Sequence, residues 1–511
     1  MPQSAQDDAR TPILVGSGQI TQREPDPAKA LSPLDLTAEA CRIAANDAGP
    51  GQKLLESLDT MALLRSFSDT SWRFTSPFGG SKHPPKSLAA RLGADQIARK
   101  LYTHPGGNMP QYLVSRFSEM VTRGEIEAAI VCGGEALGTQ KAAQRAGLKL
   151  DWSEDPGGEP ETWGVATRGW SDCEDRHRMA GAIFAYPMIE NAIRGSRDRS
   201  IPEHAMAMGR LFEGFAKVAA ANPLADRRDG FTAEQIATVT EANPYIGFPY
   251  PKLMNANAFN DQAAAVILTS VAKAKELGIP QEKWVYLHGC ADTYDHWFLS
   301  DRINYYTSPA MRIAAREAFA MADCSADDMS FLDLYSCFPS AVEICCAEQD
   351  PRGLTVTGGL PYFGGPGNNY VTHSIAEMMN KVRSQPGSRG MVTANGNYVT
   401  KQAVGIYSTD APAKPFAPKD PKTYQAEIDA AKGPNVIEHA EGAAEIETYT
   451  VIHDRKGPSY SILFGRLSGG ERFIANTADD PALLAEMEAN DFLGASGKVA
   501  SNDGINTFTP G

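Results

Sequence analysis

Asp333-Leu-Tyr-Ser-Cys-Phe-Pro-Ser-Ala-Val-Glu343 reads as a junction between two kinds of structure. The apolar run Met329 to Leu334 has strand character, Tyr335-Ser336 ends it, and a helix-like apolar pattern starts at Ala341. A residue between a strand end and a helix start faces the carboxyl edge of a sheet. Helix amides point there, and open α/β sheets carry their sites there. Of the eight cysteines, Cys337 is the one so placed. Two readings of it stand: a nucleophile at a strand end, or a small core cysteine at a crowded turn.

Strand and helix signals alternate on both sides of this junction, which gives an α/β class. Upstream, Ile13-Leu-Val feeds a glycine turn, Ser32-Pro33 opens a helix, Leu58 to Leu64 and Ala128 to Cys132 are strand-like, and Gln111 to Arg123 is helical. Residues 1–148 form a first half and residues 252–278 its closing strand. Between them residues 149–251 change texture: Trp152, Trp163 and Trp170 sit in acidic, glycine-rich sequence, followed by helical patterns. This is an inserted, mostly helical subdomain. Residues 279–410 repeat the order of elements seen after Ile13, so the fold is expected to be a duplicated pair of halves. Four prolines make 411–421 a linker, and 422–511 a small β-rich domain with a frayed tail after Lys498.

A chain of 511 residues exceeds one ordinary core and is expected to hold two or three domains. Its net charge of −14 argues against a nucleic-acid surface, so an anionic ligand would need a local basic patch. Arg194, Arg197, Arg199 and Arg210 are the basic concentration in the insertion, either a solvated face or an anion site. The cysteines show no metal-ligand spacing and read as reduced thiols of a cytoplasmic protein; no metal is implied. Met1 to Arg10 is polar, and no run of 18 apolar residues occurs, so no membrane span is expected.

Four loops after strand-like runs stand out: Tyr102 to Asn108, Tyr335 to Phe338, Gly364 to Asn369 and Ala394 to Asn397. Each alone is ordinary turn chemistry, but equivalent strand ends of a doubled fold converge on one cavity. In order, they resemble the thiolase superfamily, particularly the sterol-carrier-type thiolases and thiolase-like proteins. Asn255-Ala-Asn-Ala-Phe-Asn-Asp-Gln-Ala-Ala-Ala265 is similar to the thiolase Asn-Ala-Ser-Gly-Ile-Asn-Asp-Gly-Ala-Ala-Ala block. Tyr335-Ser-Cys-Phe338 stands where the family carries His-Asp-Cys-Phe or Asn-Glu-Ala-Phe, Gly364-Gly-Pro366 at Gly-His-Pro, and Ala394-Asn-Gly396 at Cys-x-Gly. The resemblance covers roughly residues 10–410.

The resemblance implies a thiolase-type acyltransferase acting on CoA thioesters, with CoA or acyl-CoA as substrate or ligand and no resident cofactor. It also locates departures. Gly106 stands for the acylated cysteine, Gly365 for the histidine of Gly-His-Pro, Ala394 for the second cysteine and Tyr335 for the histidine or asparagine that opens His-Asp-Cys-Phe or Asn-Glu-Ala-Phe. Thiolysis needs a thiolate, a base and a proton carrier, so the catalytic set must be rebuilt or lost. Cys337 is the candidate nucleophile, His104 its base, and Tyr335 and Asn395 hydrogen-bond donors to an oxyanion. Gly106, Asn257, Phe338, Gly365, Asn368 and Asn369 are candidates to line the thioester site, with Arg194 and Arg197 for its phosphates. The competing readings are a non-catalytic CoA or acyl-CoA binder and a scaffold docking a partner enzyme. Residues 422–511 resemble the OB-like domains of proteins that partner thiolases. Monomer and homodimer both remain open.

Overall fold

The computed structural model describes residues 9–70, 72–346, 350 and 352–511. Residues 1–8 of the polar N-terminal stretch lie outside it. The first half supplies β1 (Pro12–Thr21), β2 (Thr60–Leu63), β3 (Arg99–Thr103) and β4 (Ala128–Ala136). The insertion carries β5 (Glu161–Trp163), β6 (Tyr245–Gly247) and β7 (Tyr250–Pro251), and its bulk is the helices Ala182–Ser196 and Ile201–Ala221. Then come β8 (Asp261–Ser270), β9 (Val285–Tyr294), β10 (Phe331–Asp333), β11 (Arg389–Gly396) and β12 (Lys401–Ser408). The C-terminal part adds β13 (Gly442–Asp454), β14 (Gly457–Leu467), β15 (Arg472–Ala475), β16 (Ser496–Asn502) and β17 (Ile505–Pro510).

The larger sheet runs β10-β11-β12-β9-β1-β8-β4-β2-β3-β5. From its middle, the order is β9-β12-β11-β10 one way and β1-β8-β4-β2 the other. The pairing senses match step by step: antiparallel, antiparallel, then parallel in each arm. That is the duplication expected from the sequence. The arms meet through Ile13–Tyr286 and Leu14–Val285. Helices Met109–Arg123 and Tyr370–Ser384 touch each other and strands of both arms, while Pro33–Ala48 and Pro309–Ala322 cover the outer faces. Five layers, α-β-α-β-α, result.

Local sequence explains this layering. In β8, Gln262 to Ser270 is buried throughout, because a strand covered on both faces shows a continuous small and apolar run instead of alternation. At Gly16 and Gly18 a Cβ would stand 2.2 and 2.1 Å from the carbonyl oxygens of Ala44 and Ala40. Only glycine lets the outer helix lie that close to β1. Ser32 caps that helix by accepting from Asp35 N, with Pro33 at its first position.

The insertion is not purely helical. β5 pairs with β3 and extends the sheet, while β6 pairs with β13. The C-terminal strands run β15-β14-β13-β16-β17, and Asn476, just past β15, exchanges backbone hydrogen bonds with Asn506 and Phe508. The sheet therefore closes on itself, with helix Pro481–Ala489 between its third and fourth strands, the order of a five-stranded Greek-key barrel. The tail expected to fray is a correction: Gly497 to Asn502 pairs in continuous register with Ile505 to Pro510. In the proline-rich stretch Phe416 is buried, and Lys419 Nζ donates to Glu317 Oε2 at 2.6 Å.

Candidate functional site

The helices between the arms begin at equivalent places, Met109 in one half and Tyr370 in the other, and their leading loops meet. Gly106 N donates to Asn368 Oδ1 at 2.9 Å, and Asn368 Nδ2 donates to Arg65 O at 2.7 Å. Asn369 Nδ2 donates to Gly133 O at 2.6 Å, locking the loop from the second half against β4 of the first. Gly365 N donates to Asn257 O at 2.8 Å, and Asn257 N to Leu360 O at 3.1 Å. The second and fourth loops join the same place. A Cβ on Gly107 would stand 2.4 Å from Tyr335 Oη and 2.6 Å from Asn395 O. Thus Gly106, Tyr335, Asn368, Asn369 and Asn395 come together, with Asn257 and Gly365 beside them.

The place vacated at Gly106 is not empty. A Cβ there would meet Asn108 Oδ1 at 2.5 Å, and one on Gly396 would meet the same oxygen at 2.6 Å. Asn108 precedes the helix Met109–Arg123 but makes no side-chain cap bond, and its Oδ1 is buried without a hydrogen-bond partner. Asn395 Oδ1 is a second such atom. A buried acceptor without a donor costs roughly 1–3 kcal/mol unless something fills the gap.

Cys337 is sealed. Its thiol lies under Tyr186, whose ring stacks on Phe338 and whose hydroxyl donates to Asn397 O at 3.0 Å. Burial pushes the thiol up to about 12, outweighing the Tyr186 hydrogen bond and the backbone amides that favour the thiolate. The helix expected to ionise it, Pro339–Glu343, is five residues long. Among the described residues no hydrogen bond joins Cys337 to His104, its expected base. Burial, then the nearby charges of Arg65 and Lys401, lower the His104 pKa. Desolvation thus opposes the thiolate that a nucleophilic Cys337 would need.

The phosphate assignment also changes. Arg194 is buried and bidentate to Asp491, at 2.9 and 2.6 Å, so it anchors the barrel instead of facing a ligand. Arg197 Nη1 lies 3.2 Å from Glu343 Oε2. Behind Phe338, Tyr250 stacks on its ring and hydrogen-bonds Glu190 Oε2 and Ser340 Oγ. Glu190 Oε1 receives His204 Nε2 at 2.6 Å, and donor atoms of Glu190, His204 and Glu343 lie within 4.8 Å of one another. Burial raises Glu190 to about 7 and lowers His204 to about 4, so it disfavours the charged form of each.

Sequence reasoning missed Tyr186 and Lys401. Tyr186 sits in an apolar helical run and looks like core. Lys401 stands among buried residues at the start of β12, a position where a lysine is unexpected.

A duplicated α-β-α-β-α layering with the leading loops of both central helices converging defines a thiolase-like protein. The family model for the thiolase-like protein type 1 additional C-terminal domain matches residues 423–504. The crystal structure of a monomeric SCP2-thiolase like protein type 1 from Mycobacterium smegmatis is 35% identical and superposes with a TM-score of 0.85, over 99% of this chain and 100% of that one. The chain belongs to the SCP2-thiolase-like protein type 1 family. Two more distant structures share the fold. The Ltp2-ChsH2(DUF35) aldolase is 16% identical with a TM-score of 0.57, over 79% of this chain and 99% of that one. Human mitochondrial 3-ketoacyl-CoA thiolase is 15% identical with a TM-score of 0.55, over 78% of this chain and 100% of that one. No match was found among curated proteins.

Proposed function

We propose that the chain binds a CoA thioester in the thiolase-type site and handles it without an acyl-cysteine intermediate. One observation carries this reading. At the position of the family's acylated cysteine stands Gly106, and the space its side chain would need is taken by Asn108 Oδ1. Acyl transfer of the ordinary thiolase kind needs a thiolate there. The fold is supported by relatives whose names include a 3-ketoacyl-CoA thiolase, which favours a thioester over other ligands. A monomer is part of the same reading: a relative is named as monomeric, and β5 occupies the outer edge of β3.

Calorimetry and thermal shift with CoA and acetyl-CoA test the ligand, and intact-mass spectrometry tests the chemistry. Saturable binding that weakens with salt, with no acetyl adduct, is the expected result. No heat and no shift with millimolar CoA overturns the ligand. An acetyl adduct on Cys337 restores acyl transfer.

A further inference from the structure

Lys401 begins β12 opposite Gly396 in the β11–β12 pair. Its side chain is 2% exposed, its Nζ donates to Pro105 O at 2.9 Å and Val165 O at 3.4 Å, and the amine stands 5.5 Å from the centre of the Trp297 ring. Among the described residues no carboxylate pairs with it. A buried ammonium with only carbonyl dipoles around it loses its charge easily, and burial lowers this one to about 8.

The stem of Lys401 runs along the vacated nucleophile position. Its Cδ lies 3.6 Å from where a side chain on Gly106 would begin and 3.3 Å from where one on Gly396 would. Asn108 Oδ1 flanks the same two points at 2.5 and 2.6 Å and lacks a donor. The stem of a buried lysine and a buried acceptor thus border one spot, the amine itself is held on the carbonyl just before Gly106, and His104 is close enough for its protonation to feel Lys401. Val165, whose carbonyl caps the amine, lies in a stretch where Gly164, Ala166, Thr167 and Arg168 are exposed, one layer of chain from solvent.

We propose that Lys401 is an amine nucleophile that condenses with a ketone or aldehyde group of a ligand bound beside Gly106. Neutral Nζ attacks the carbonyl carbon. The C–N bond forms, the carbonyl π pair moves to oxygen, and a proton passes from nitrogen to oxygen to give a carbinolamine. Its hydroxyl then has an acceptor in Asn108 Oδ1. Loss of that hydroxyl with the second amine proton, as water, leaves a C=N bond; nothing is oxidised or reduced. The protonated imine draws electrons from the neighbouring carbon, so carbon–carbon chemistry is available without a cysteine. The choice of a 3-keto thioester as ligand rests on the CoA-thioester reading above.

Two trapping arms separate the inference from that reading. In the first, limiting propanal with cyanoborohydride at neutral pH reports which amine reacts first, by peptide mapping. Lys401 should alkylate on the order of tenfold faster than Lys29, which is 74% exposed. Equal or slower labelling overturns the proposal. In the second, acetoacetyl-CoA with cyanoborohydride should leave a reduced adduct on Lys401, absent in Lys401→Arg and Lys401→Met variants that keep the wild-type melting temperature. If calorimetry shows that acetoacetyl-CoA binds yet no adduct forms, the proposal fails and the ligand reading stands. If propanal labels Lys401 but the thioester does not bind, the amine stands and the ligand reading fails. Should both variants unfold, the propanal labelling order on the wild-type chain decides.

Discussion

The ring of Tyr186 stacks 4.5 Å from that of Phe338, and its hydroxyl accepts from Asn395 Nδ2 at 2.9 Å. One side chain of the insertion therefore joins the second and fourth loops and roofs the thiol between them. Tyr186→Phe keeps the stack but strands Asn395 Nδ2 and Asn397 O. A loss of roughly 1–3 kcal/mol in denaturant unfolding is expected, and a variant of wild-type stability would show that the hydroxyl holds nothing.

The same roof makes Cys337 inert. With iodoacetamide at about pH 8, Cys324, which is partly exposed and less perturbed, should react while Cys337 stays unmodified until the chain unfolds. Peptide mapping along a labelling time course reads this directly. Early modification of Cys337 would return it to candidacy as a nucleophile.

Gly106 and Gly107 should differ in what they tolerate. Alanine at 106 meets the end of the Asn108 side chain, which can turn away, whereas alanine at 107 meets the backbone carbonyl of Asn395 at 2.6 Å. Gly107→Ala should cost about 1–3 kcal/mol and Gly106→Ala less. Adding Asn108→Ala should rescue Gly106→Ala and leave Gly107→Ala unchanged. Equal costs at both positions would contradict this account of the pocket.

Glu190 carries a pH signature of known sign. Burial raises its folded pKa to about 7, above an unfolded value near about 4.3. Between those values the folded state holds the extra proton, so this group's contribution falls as pH rises through the window. Glu190→Gln removes that cost. It should stabilise the chain at about pH 8 by up to about 3 kcal/mol, and the gain should shrink as pH falls and vanish only below about pH 4. His204, lowered to about 4, acts oppositely over an overlapping range, so the comparison of variant with wild type is what isolates Glu190. A variant less stable than wild type at the higher pH would refute it.

Arg472 is fully buried and bonds Glu447 on its own barrel and the carbonyls of Ser300, Arg302 and Ile303 on the second half. Arg472→Ala leaves these acceptors and the carboxylate without their donor. A loss of about 3–5 kcal/mol is expected from calorimetric or denaturant unfolding. A loss below about 1 kcal/mol would mean that water replaces the guanidinium.

The doubled fold was legible because its strands are long or wholly buried: β1, β8 and β9 announce themselves as apolar runs, and Pro33 begins its helix where the sequence reading placed it. β5 was not, since three residues have no period and exist as a strand only through β3. In β16 and β17 most side chains are exposed and polar, so the pairing that orders them leaves no apolar trace. The site divides the same way. Its loops were visible through glycine and asparagine at strand ends, but the state of Cys337 depended on Tyr186, which nothing local distinguishes from core. Arg194 looked like an anion ligand because Asp491, its partner, lies 297 residues further along the chain.

The pairing of β6 with β13 has a stoichiometric consequence. Because insertion and barrel belong to one polypeptide, they meet at an effective concentration of the millimolar order set by the chain between them. Exposed contacts such as Arg176–Glu438 and Arg178–Asp479, too weak to assemble two separate proteins, then add to the buried anchors Arg194 and Arg472. Every site comes with one barrel, at any dilution, and no free copy can compete for it. A barrel supplied as a second polypeptide would have to reach comparable concentrations before it did the same.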